Sequence, residues 1–170
     1  DVKRVEGYRN FCNKLWNASR FIKLQCKGYK KSKKFSDDPI DKWIRSEFNK
    51  SLESYVDHID NSRFDLATQV LYEFIWEKLC DWYIEFCKIR LNDQSISNVE
   101  KAQIKNSLLD IFEKTLKLAH PMMPFITEEI WQSFKETFKA KEKSIMISEL
   151  PTRYLGTSNL KNIESLKSVI

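Results

Sequence analysis

The chain has 170 residues, 42% of them hydrophobic and 31% charged, which is typical of a soluble globular domain. Only 3 Gly and 4 Pro are present, and this shortage of turn residues argues against β-sandwiches, β-barrels, collagen and disorder and favours long helices. The net charge of +5 is uneven: residues 1–34 carry 11 basic and two acidic side chains, a net +9, and the rest carries −4. This asymmetry indicates either a polyanionic partner or a solvated basic face with a disordered lysine-rich loop.

Two helices are predicted in the first third of the chain. Apolar residues at three- and four-residue steps predict a first helix over residues 2–25, and a polar, lysine-rich loop follows over residues 26–38. A second helix is predicted to begin at Pro39, because proline suits the first helical turn and Asp38 can cap the free backbone N–H groups.

Three further helices follow. The strongest pattern predicts a central helix over residues 65–91. Its apolar face consists of Ala67, Val70, Leu71, Phe74, Ile75, Leu79, Trp82, Tyr83 and Phe86. Ser97 and Glu100 form the signature of a capping box before the fourth helix, which Pro121 ends. Pro124 begins the fifth helix.

These elements predict an all-α fold. Five amphipathic helices with short connections make an antiparallel helical bundle. We expect the bundle to cover residues 1–140, and an extended segment over residues 141–170 to lead towards a C-terminal region that is missing here. The numbering begins at Asp1 instead of Met, which suggests a piece of a longer protein.

Composition disfavours several other classes. No apolar run approaches the ~20 residues of a membrane span, and the charged first residues do not resemble a cleavable signal. The 4 Cys include no CxxC pair, which with only 2 His argues against a metal site and favours a reducing compartment, the cytoplasm. Cys80 and Cys87 are seven residues apart on one helix face, so we expect both in the core.

No catalytic centre is recognisable. The three glycines are scattered singly, so a glycine-rich phosphate loop is excluded. His58 stands beside two carboxylates and His120 at a helix end, positions that suit a surface residue and a helix C-cap.

Side chains suited to binding a ligand, one aromatic and several basic, occur together at the end of the first helix. Arg20 and Phe21 adjoin there, followed by Lys23 and the lysines of residues 30–34. Single-stranded RNA is held by bases stacked on aromatic or guanidinium planes and by basic side chains on phosphates. The alternative is that Phe21 belongs to the core and Arg20 is a solvated charge.

The sequence resembles a known family in four segments. They are RNFCNKLWNASRF (residues 9–21), DKWIRSEFN (41–49), RFDLATQVLYEFIWEKLCDWYIEFCK (63–88) and LLDIFEKTLKLAHPMMPFITEEIW (108–131). In this order they resemble the anticodon-binding domain of valyl-tRNA synthetases.

The resemblance implies a role in protein synthesis. The family ligates valine to its tRNA with ATP and Mg²⁺, through a Rossmann catalytic domain that carries HIGH and KMSKS motifs. Neither motif occurs in this chain. The resemblance therefore implies a tRNA-binding module with no catalytic residue, cofactor or metal of its own. Its implied partners are the tRNA(Val) anticodon stem-loop and the catalytic domain of the same polypeptide.

The resemblance also implies roles for individual residues. Arg20 and Phe21 match the Arg-Phe pair that meets the anticodon, with Phe21 stacking on a base and Arg20 donating hydrogen bonds. The full set of predicted RNA-binding residues is Lys3, Arg4, Arg20, Phe21, Lys23, Lys31 and Lys33. The apolar wall opposite Phe21 is expected near Tyr83, Phe86 or Cys87.

Two other interpretations stay open at this point. One is the equivalent domain of an isoleucyl-tRNA synthetase, which shares the PFITEEIW-like end. The other is a helical protein-interaction module that binds a partner helix with its aromatic faces. Salt dependence separates the last from RNA binding, because phosphate contacts weaken steeply with salt and apolar docking does not.

Overall fold

The computed structural model describes residues 2–156, and for residues 2–5 the backbone alone. In chain order its elements are α1 (Val2–Gln25), α2 (Pro39–Asp60), α3 (Phe64–Glu73), a π-helical segment (Phe74–Tyr83), α4 (Ile84–Asn92), α5 (Asn98–Ala119), α6 (Pro124–Phe138) and a 3-10 turn (Ile145–Ile147). The stretch 64–92 is helical without a break, so the described part contains five long helical rods and no strand. The predicted all-α bundle is confirmed.

The predicted helix starts are confirmed by their caps. The Asp38 carboxylate accepts a hydrogen bond from the Ile40 backbone N–H at 2.8 Å, and α2 begins at the next residue, Pro39. At α5 the Glu100 backbone N–H donates to Ser97 Oγ at 3.2 Å. The Ser97 backbone N–H in turn donates to the Glu100 carboxylate at 3.0 Å, which completes the capping box.

The π-helical segment changes which side chains face the core. The Ile84 backbone N–H donates to the Leu79 carbonyl five residues earlier, so each turn holds more residues than an α-helical turn. Cys80 and Ile84 are therefore buried, and Trp82 is left half-buried with its ring stacked on Phe86 at 6.2 Å. Trp82, predicted on the central apolar face, lies at the border of that face and packs against the core with only part of its side chain.

One core joins all five rods. Each rod contributes a side chain with 0% exposure, namely Leu15, Phe48, Tyr83, Phe112 and Trp131. Full burial of a large apolar side chain stabilises the fold by about 1.5–3 kcal/mol. The four cysteines are free thiols, and Cys80 and Cys87 are buried as predicted. Burial raises the pKa of the Cys80 thiol to about 12, so it behaves as a small apolar side chain.

A buried polar cluster fixes α2 against the following rod. The Tyr83 hydroxyl donates to Asp41 Oδ1 at 2.5 Å, and Arg90 Nη2 lies 2.8 Å from Asp41 Oδ2. Burial raises the pKa of Tyr83 well above its ordinary value and the charge of Asp41 raises it further, so the phenol stays protonated and donates. The cluster holds α4 in place.

The lysine-rich loop over residues 26–38 has no regular structure beyond turns, but it is fastened to the bundle. The Lys31 backbone N–H donates to the Thr137 carbonyl at 2.8 Å. The Ser32 backbone N–H donates to the Asn106 side-chain oxygen at 2.7 Å. These bonds to α5 and α6 give the loop a defined position beside the end of α1.

Candidate nucleic-acid interface

Phe21 lies on the last turns of α1, half-buried, where it packs against the core and also lines a surface groove. The groove has a volume of about 200 Å³ and separates α1 from the π-helical segment and α4. Phe21 was interpreted above either as a core residue or as a residue on which a base stacks. In the structure its ring packs against the core and also borders the open groove. Aromatic rings in such positions are the platforms on which unpaired bases stack.

Polar side chains line both sides of the groove, beside the apolar side chains of Ala18, Cys80 and Ile84. From α1 it is lined by Lys14 and Asn17, and from the opposite rod by Asp81, Glu85 and Lys88. Lys14 forms an ion pair with Asp81 across the groove. Lys88 Nζ lies 2.6 Å from Glu85 Oε1 on the same helix. The groove thus offers hydrogen-bond donors and acceptors, the groups that read the edge of a base.

Two exposed cations flank Phe21. Arg20 precedes it and Lys23 follows within one turn, and both side chains are exposed. Neither has an ion-pair or hydrogen-bond partner among the side chains of residues 6–156. Both are exposed and can reach a phosphate or a base edge, and their predicted RNA contacts stay predictions.

The two predicted loop lysines differ in environment. Lys31 Nζ lies 3.2 Å from Asp110 and also pairs with Glu113, and its side chain is only 20% exposed. Burial by itself lowers the pKa of Lys31, but the charges and hydrogen bonds of Glu113 and Asp110 outweigh it, and the net shift is upward. Lys33 is exposed and has no partner among the described side chains.

This difference makes Lys31 a weaker candidate for an RNA contact than Lys33. Its ammonium group is already neutralised by two carboxylates of α5, and pulling it away would leave Glu113 buried with only Lys117, at 3.2 Å, as a counter-ion. Lys31 and Lys33 both stay predictions, and the paired ammonium group of Lys31 is less available to a phosphate than that of Lys33. Lys3 and Arg4 stay predictions, because their side chains lie outside the described residues.

The three residues named for the apolar wall lie behind the groove, and its apolar lining on this side comes from their neighbours Cys80 and Ile84. Tyr83 and Cys87 are fully buried, and Phe86 is 6% exposed, so none of them lines the groove. Glu85 and Lys88 face Phe21 in their place, and sequence reasoning missed them. Glu85 and Lys88 are three residues apart, which predicts that they share one polar face of the helix. The direction in which that face points depends on the π-helical segment that precedes it.

Among the described residues, no three His, Cys, Asp or Glu side chains are grouped so that they could hold a metal ion. No described helix combines the length and the apolar character that a membrane crossing requires.

Residues 41–170 match the family described as the anticodon-binding domain of tRNA ligase. The match begins after α1, so Arg20 and Phe21 lie before it.

Curated relatives extend the similarity to the whole chain. The valine–tRNA ligase of Francisella tularensis is 42% identical over 170 residues, covering 100% of this chain. That of Psychrobacter arcticus is 43% identical over 160 residues, and that of Buchnera aphidicola subsp. Acyrthosiphon pisum 47% over 154, each covering 89% of the chain. The chain spans only 16–18% of the length of these relatives.

Proposed function

This chain belongs to the family of anticodon-binding domains of tRNA ligases, and we propose that it binds the anticodon stem-loop of tRNA(Val) as part of a valine–tRNA ligase. The observation that carries the proposal is the position of Phe21. It borders a groove with hydrogen-bond donors and acceptors, and two exposed cations, Arg20 and Lys23, flank it in the sequence. Aromatic rings beside exposed basic groups are the means by which proteins hold unpaired RNA bases.

In this proposal each side chain has one task. Phe21 stacks on a base that leaves the anticodon loop. Arg20 donates to the edge of that base or to its phosphate, and Lys23 and Lys33 contact phosphates on either side. The phosphate contacts add affinity for any sequence, and the groove contacts add sequence preference.

The activity of the whole polypeptide is a further proposal. We infer that domains beyond this chain ligate valine to the tRNA with ATP and Mg²⁺, and that this domain docks to the catalytic domain and holds the anticodon during the reaction. The names of the three relatives favour valine over isoleucine as the amino acid. Four free cysteines favour a reducing compartment such as the cytoplasm.

The test is a titration of the purified chain with two RNA stem-loops, one with the valine anticodon and one with an unrelated anticodon. We expect the valine stem-loop to bind more tightly, and both affinities to fall steeply with salt because phosphate contacts release counter-ions. Equal affinity for both stem-loops, or affinity that does not change with salt, would contradict the proposal. The second result would favour a protein-interaction module.

A further inference from the structure

The ring of Phe21 is covered in the structure. Lys88 Nζ lies 4.9 Å from the centre of the ring, at the distance of a cation–π contact. Glu85 holds Lys88 there through a 2.6 Å ion pair one helical turn earlier. A base that stacks on this face of Phe21 has to take the place of the ammonium group, because both partners use the same π surface.

The Lys88 side chain can leave the Phe21 ring at a small cost in free energy. The side chains of Lys88 and Glu85 are 39% and 46% exposed, so either can turn into solvent. Exposed ion pairs three residues apart on a helix contribute little free energy. An RNA phosphate can take over the released ammonium group, since it carries the same charge as the Glu85 carboxylate, arrives with the base and releases counter-ions when it is neutralised.

From this arrangement we infer that Glu85 selects the stacked base by accepting a hydrogen bond from its exocyclic amino group, once Lys88 has left Phe21 for a phosphate. The inference rests on the proposed RNA-binding function. An ionised carboxylate has only acceptor oxygens, so it binds an N–H group and disfavours a carbonyl oxygen. Cytosine and adenine present an amino group where uracil and hypoxanthine present an oxygen.

Glu85 suits this task better than the other carboxylate in the groove. Asp81 is paired with Lys14, which belongs to the opposite helix and also lies 4.2 Å above the Trp76 ring. The side chain of Lys14 is 26% exposed, less than that of Lys88. Freeing Asp81 would break a contact between two helices, whereas freeing Glu85 breaks one contact within a single turn.

The test uses Glu85→Gln and Lys88→Met, with Glu47→Gln and Lys50→Met as matched controls. Glu47 and Lys50 form a pair with the same three-residue spacing on α2, at 2.8 Å, and they do not line the groove. Glu47 is less exposed than Glu85 and also lies 3.8 Å from Lys78, so the melting curve of Glu47→Gln is compared first. Three stem-loops serve as probes: the valine anticodon stem-loop, a copy with anticodon cytosine changed to uracil, and a copy with anticodon adenine changed to hypoxanthine. Circular dichroism melting shows that each variant is folded.

We expect the unmodified chain to prefer the amino-bearing base about tenfold or more at one of these positions. Glu85→Gln should reduce that preference to below about threefold, because an amide can also donate to the oxygen of the changed base. Lys88→Met should keep the preference and reduce the slope of log affinity against log salt by about one. The two control variants should change neither quantity.

The inference is overturned if Glu85→Gln keeps the full preference at both positions, or if Lys88→Met keeps the salt slope. Failure of the proposed function has a different signature, because the unmodified chain would then not prefer the valine stem-loop at all. The two failures are therefore distinguishable in one set of titrations.

Discussion

Tyr83 and Asp41 are 42 residues apart in sequence, yet the phenol of one donates a 2.5 Å hydrogen bond to the carboxylate of the other in the interior. Both side chains are 0% exposed. With Arg90, which lies 2.8 Å from the second oxygen of Asp41, they join α2 to the rod that forms one wall of the groove. This polar contact in the core therefore positions one wall of the groove.

Removing the cation of this cluster should destabilise the fold strongly. Arg90→Met leaves a buried carboxylate without its counter-ion, and we expect a loss of about 3–5 kcal/mol in the free energy of unfolding. Tyr83→Phe should cost less, about 1–3 kcal/mol, because Asp41 keeps Arg90. Urea denaturation measures both, with Arg63→Met, which breaks an exposed ion pair with Asp65, as a control of small effect. An Arg90→Met protein as stable as the unmodified chain would contradict the account.

Substitution of Lys31 should affect the stability of the fold, and substitution of Lys33 should affect RNA binding. Lys31→Met leaves Asp110 and Glu113 without their shared cation, so we expect a loss of about 1–3 kcal/mol in stability and unchanged RNA affinity of the folded protein. Lys33→Met should leave stability unchanged and lower affinity for every stem-loop equally. Denaturation and stem-loop titration of the same two variants test this, and the reverse pattern would favour Lys31 over Lys33 as the RNA contact.

Stability should fall in acid through the capping box of α5. The Ser97 hydroxyl donates to the Glu100 carboxylate and lowers its pKa, so the stabilisation is present above the ordinary pKa of a glutamate. It is lost as the pH falls through the lowered value. The stability difference between the unmodified chain and Glu100→Gln should therefore shrink towards acid pH, with Glu53→Gln, an exposed variant on α2, as the control. A difference that is constant with pH would contradict this role.

Much of the fold follows from local sequence signals, and the groove does not. Asp38 and Ser97 show where helices begin because a cap depends on a few neighbouring residues. The wall opposite Phe21 depends on the phase of the π-helical segment. An α-helical repeat extended through that segment places Trp82 in the core and hides the direction of Glu85 and Lys88.

The stability of a Trp82 variant tests directly how the π-helical segment changes which side chains face the core. Because its side chain is half-buried, Trp82→Ala should cost about 1–2 kcal/mol in stability. Trp131→Ala, at a position with 0% exposure, should cost about 3–5 kcal/mol. Urea denaturation of the two variants makes the comparison, and equal losses would mean that Trp82 is a core residue after all.

The central claim is that Phe21 stacks on an RNA base, and the measurement is the affinity of Phe21→Ala for the valine anticodon stem-loop together with its melting temperature. Phe125→Ala is the control, since this phenylalanine is 91% exposed and lies at the start of α6, away from the groove. We predict that Phe21→Ala loses about 1–3 kcal/mol of binding free energy while it stays folded, and that Phe125→Ala binds normally. A Phe21→Ala protein with a lowered melting temperature and undiminished affinity per folded molecule would contradict the claim.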